Sequence, residues 1–166
     1  MRRDVADPRN REAAGNNAEW CDLVCRTHGG PGRFDAYAWT TGHRSPPGYP
    51  DAVTLRPDAD SRFLDRIDMS PGASVKDSFG RLDLSAYGFR PLFDAEWIRR
   101  DPDDAVRVAP GPAAASVRPV TTPAELAGWA TAHGGGAVFR PALLDDPRVT
   151  VLAVRDPAGA VCGGAV

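Results

Sequence analysis

The chain has 166 residues and a mass of 17.7 kDa, which suits one ordinary domain or two small ones with a sizeable core. Hydrophobic residues make up 42% and charged ones 25%, and no stretch approaches the roughly 20 apolar residues of a membrane-spanning helix. Basic and acidic side chains number 20 and 22, leaving a net charge of -2 and no basic field to hold nucleic-acid phosphates.

Cysteine occurs three times, at Cys21, Cys25 and Cys162, too sparsely for the disulfide framework of a small secreted domain. The start, MRRDVADPRNREAAGNN, has Asp, Pro and Asn where a signal peptide needs an apolar run, so a cytoplasmic location is expected. Lys76 is the only lysine, and the arginine bias goes with the Ala, Gly and Pro richness of a GC-rich coding sequence.

Residues 1–16 are polar and aperiodic and read as a disordered arm. Asn16 and Asn17 are placed to cap a helix over 18–27, which Gly29 and Gly30 stop. RFDAYAWTT alternates as a strand does, and TGHRSPPGYP breaks regular structure. Residues 52–55 read as a strand, and Phe63, Leu64 and Ile67 lie at helical spacing. Gly72 to Asp77 reads as a loop. In 92–98, Phe93, Ala95 and Trp97 alternate with Leu92, Asp94, Glu96 and Ile98, which predicts a strand with its more apolar face inward. APGPAAAS at 109–116 is the best linker, separating a lobe over 17–108 from a second unit over 117–166.

The second unit is the more legible. Val117 to Val120 reads as a strand, and Thr122, Pro123 and Glu125 form a capping box opening a helix to about His133. Gly134 to Gly136 ends it, FRPALLDDP holds a further short helix, and 149–154 and 160–166 are strands joined by a DPAG turn.

Four groups of residues bear on chemistry. Cys21, Cys25 and His28 fall at i, i+4 and i+7 on one helix face, a partial metal set that needs a fourth ligand from His43, His133 or Cys162. The competing reading is two small core thiols and a helix-end imidazole. Asp94 and Glu96 share a strand face, where a carboxylate serves as general base toward an amine; the preferred reading is a solvated outer face with Phe93, Ala95 and Trp97 turned to the core. Lys76 and Ser78, with Trp97, are candidate substrate contacts. HGGG at 133–136 has the letters of a hydrolase oxyanion loop but no G-x-S-x-G elbow follows, so it reads as a helix stop. The segments EWCDLVCRTHGG and ELAGWATAHGGG are similar, which marks either two related half-domains or two helices stopped alike.

The order strand, helix, short helix, strand, hairpin, strand over 117–166 resembles the opening half of a GNAT-type N-acetyltransferase domain, and VKDSFGRLDLSAYGF and LFDAEWIRR resemble the N-terminal lobe of acetyltransferase-like proteins of high-GC bacteria. The resemblance implies an α/β fold with a mixed, largely antiparallel sheet flanked by helices. It also implies transfer of acetyl from acetyl-CoA to a small-molecule or peptide amine, without nucleic-acid or membrane partners. That family holds the cofactor diphosphate on a [QR]-x-x-G-x-[GA] loop. In Arg26 to Pro31 the last position is proline, and in Arg155 to Gly159 the glycine comes one place late, so no cofactor-binding residue is assigned here. Those residues are expected beyond Val166, with this chain an inactive fragment. The alternatives are a non-catalytic binding or regulatory module whose sheet edge a partner completes, and a small metal-binding protein through Cys21, Cys25 and His28.

Overall fold

The computed structural model describes residues 7–98 and 115–166. The chain divides into two units, Met1–Arg99 and Arg100–Val166, each mixed α/β with its own small sheet.

The first unit opens with helix α1, Pro8–Thr27. The Asp7 side chain accepts the Arg9 N–H at 2.9 Å and Pro8 occupies the first turn, where its missing donor costs nothing. The described part of the expected arm is therefore helical from Pro8, and Asn16 and Asn17 lie inside the helix. The reason is the apolar stripe: Ala14, Ala18, Cys21 and Cys25 are all buried at helical spacing, but side chains this small carry little hydrophobic signal. The helix stops as expected, with Gly29 at φ 81 and the Gly29 and Gly30 N–H groups bonded to the carbonyls of Arg26 and Cys25.

The expected strand over 33–41 is a hairpin, β1 Arg33–Phe34 and β2 Ala38–Thr40. Asp35 bends it by accepting the Tyr37 and Ala38 N–H groups. β3, Ala52–Thr54, pairs antiparallel to β2, and β4, Val75–Lys76, pairs parallel to β3 where a loop was expected. Alternation across β2 and β3 builds a core on each face. Trp39 and Val53 pack under Ala18, Cys21 and Cys25 of α1. Ala38 and Ala52 face Phe63, Leu64, Ile67 and Leu84, the first three from or beside a 3₁₀ turn at Ser61–Arg66. Because both faces are covered, every residue of β2 and β3 is buried.

Residues 91–98 form no strand. Among the described residues no strand pairs with the segment, so alternation alone does not order it, and Leu92, Phe93 and Ile98 are 73%, 80% and 95% exposed. Of the three residues expected to face inward, only Trp97 is partly buried.

The second unit is a three-stranded antiparallel sheet in the order β5-β6-β7, from β5 Ser116–Pro119, β6 Leu152–Arg155 and β7 Val161–Ala165. Helix α2, Pro123–His133, lies between β5 and β6 in sequence and starts with the capping box: Thr122 Oγ1 accepts the Glu125 N–H, and Glu125 accepts the Thr122 N–H at 3.1 Å. Leu126, Trp129 and Ala130 of α2 bury against Val120, Val151 and Ala153. On β5, Val117 is 62% exposed. Of the expected linker, residues 109–114 lie outside the described residues. Among the described residues no helix is long and apolar enough to cross a membrane.

Candidate functional site

Lys76, Ser78 and Trp97 come together on the first unit. β4 places Lys76 opposite Val53, and the chain then turns around Asp77, whose carboxylate accepts N–H groups of Phe79, Arg81 and Leu82 and the Thr54 hydroxyl. Thr54 Oγ1 in turn accepts the Ser78 N–H at 2.9 Å. This fixes the Ser78 carbonyl where the Trp97 indole N–H donates to it at 3.0 Å. The indole face then covers the Lys76 ammonium, 4.4 Å from Nζ to the ring centroid. The Ser78 hydroxyl is sealed from solvent without a hydrogen-bond partner. Burial pushes the Lys76 amine below the ordinary lysine range, with the nearby Cys21 thiol acting weakly against it. Desolvation is the larger of the two effects.

Asp94 and Glu96 are not brought to a common face. Both sit in the exposed irregular segment, since the strand that was to align them does not form.

Cys21 and Cys25 lie in the core between α1 and the sheet. Burial, then the neighbouring Cys25, pushes the Cys21 thiol up to about 12; burial, then Asp22 and Asp51, pushes Cys25 up to about 11. Both are neutral thiols at physiological pH. Cys25, His28 and His43 line a cleft of about 240 Å3, but Cys21 does not. Among the described residues no group of three or more His, Cys, Asp or Glu side chains is arranged to hold a metal ion.

Sequence reasoning missed two buried carboxylates. Asp51, fully buried, accepts from the Ser45 N–H and hydroxyl, the Ser74 N–H and the Arg44 guanidinium, tying the 41–51 loop to 68–74. Asp22 does the same for α1 and the hairpin, accepting from Gly32, Trp39 and Arg26. Nothing in the sequence distinguishes these aspartates from exposed ones, because the donors that bury them, Trp39 for Asp22 and Ser74 for Asp51, lie 17 and 23 residues away.

The two glycine-rich helix stops share one hydrogen-bond pattern. Gly134 and Gly135 donate to Thr131 and Ala130 as Gly29 and Gly30 do to Arg26 and Cys25. The likeness is local: α1 precedes a sheet with a parallel pair, whereas α2 connects two strands of an antiparallel one. The HGGG stretch is a helix end followed by a 3₁₀ turn, with the Phe139 ring lying where a Gly135 side chain would stand.

Neither phosphate-loop approximation fits a diphosphate. The Gly29 and Gly30 N–H groups are spent on α1, and the Gly159 and Ala160 N–H groups are spent on Asp156 in the β6-β7 turn. No protein-family model, curated protein or solved structure matches the chain.

Proposed function

We propose that this chain is the N-terminal portion of a GNAT-type N-acetyltransferase, which in its intact form transfers acetyl from acetyl-CoA to an amine. One observation carries the reading: β5, α2, β6 and β7 follow one another as an antiparallel sheet with the connecting helix on one face, the layout with which that fold opens. The outer edge of β7 is unpaired among the described residues, and its sequence VCGGA carries no charge or proline to protect it. In this reading another strand of the same sheet covers that edge, and the diphosphate loop follows it beyond Val166. The residues of this chain supply the helix-backed half of the sheet and none of the cofactor contacts.

The test is acetyl-CoA binding by the polypeptide of the full natural reading frame. At 100 times the dissociation constant a ligand stabilises by about 2.7 kcal/mol, which raises the melting temperature of a domain this size by roughly 5–10 °C. That shift, absent from residues 1–166 alone, is the result expected. No shift in the full-frame polypeptide at saturating acetyl-CoA overturns the reading.

A further inference from the structure

We draw no further inference here: the strongest candidate, the exposed apolar patch that Leu92, Phe93 and Ile98 form in the irregular segment at the end of the first unit, carries nothing because no contact among the described residues shows what covers it.

Discussion

The Asp22 carboxylate of α1 accepts the Trp39 indole N–H of β2 at 3.1 Å, and both residues are buried. The same oxygen accepts the Gly32 N–H at 2.8 Å, while the other meets Arg26 at 2.6 Å. One side chain thus joins the end of the helix, the first turn and the hairpin. It does so only because Gly32 has no side chain, since a Cβ there would stand 2.2 Å from Trp39 Nε1.

Asp22→Ala leaves the Trp39 and Gly32 donors buried without an acceptor, and is expected to destabilise the first unit by about 2–4 kcal/mol. Arg26→Ala removes a partner whose side chain is 61% exposed and is expected to cost under about 1 kcal/mol. Urea denaturation of the two variants checks the order; equal losses would mean that the ion pair, rather than the indole and backbone bonds, gives Asp22 its weight.

A matched pair of substitutions tests the second unit. A Cβ at Gly164 would lie 2.1 Å from Trp129 Nε1 and 2.6 Å from the Leu152 carbonyl, whereas at Gly163 it meets Val154 at an ordinary 3.6 Å. Gly164→Ala is expected to cost about 1–3 kcal/mol through overpacking. Gly163→Ala is expected to stay within about 0.5 kcal/mol. Thermal denaturation followed by tryptophan fluorescence measures both.

The thiols give a reactivity pattern and an alkaline limb. Cys162 is exposed, while Cys21 and Cys25 are buried, so an aromatic disulfide reagent is expected to titrate one thiol in the folded chain and three in urea. Burial holds the folded values of Cys21 and Cys25 at about 12 and about 11, above the roughly 8.5 of an unfolded cysteine. The unfolded state therefore loses these protons first. Stability is full below about pH 8.5 and falls as pH rises toward the folded values, by at most about 1.4 kcal/mol per pH unit for each thiol. Urea midpoints measured from about pH 8 to 11 are expected to decline, and less steeply in Cys21→Ala.

Acid acts through the opposite sign. Burial alone would raise the Asp35 pKa, but the Ala38 and Tyr37 N–H groups and the Arg66 guanidinium outweigh it and hold the carboxyl below its usual value. The stability this contributes is present above about pH 4 and is lost as pH falls through the lower folded value. Asp35→Asn is expected to flatten the acid limb of the urea-midpoint profile. An unchanged limb would place the acid sensitivity elsewhere.

Legibility in the sequence followed where the governing contacts are local. The capping box at Thr122 and Glu125, the glycine stops at Gly29 and Gly134, and the hairpin closed by Asp156 and Gly159 all act over five residues or fewer, and each was readable. The sequence pattern shows only the second half of α1 because Ala14, Ala18, Cys21 and Cys25 make a buried stripe from residues that bury little area. Residues 92–98 show the converse. Their alternation is strong, but a strand needs a partner, which the pattern cannot supply. Lys76, Ser78 and Trp97 are legible as candidates one by one, yet what joins them, the turn around Asp77 and the bond from Trp97 to the Ser78 carbonyl, spans up to 19 residues.

Hydrogen exchange at β7 reaches the central claim most directly. Within residues 1–166, the Val161–Ala165 amides that do not face β6 have no partner strand among the described residues. In the polypeptide of the full natural reading frame, a continuing acetyltransferase sheet is expected to slow exchange at those amides at least tenfold relative to residues 1–166. Equal, rapid exchange in both would contradict it.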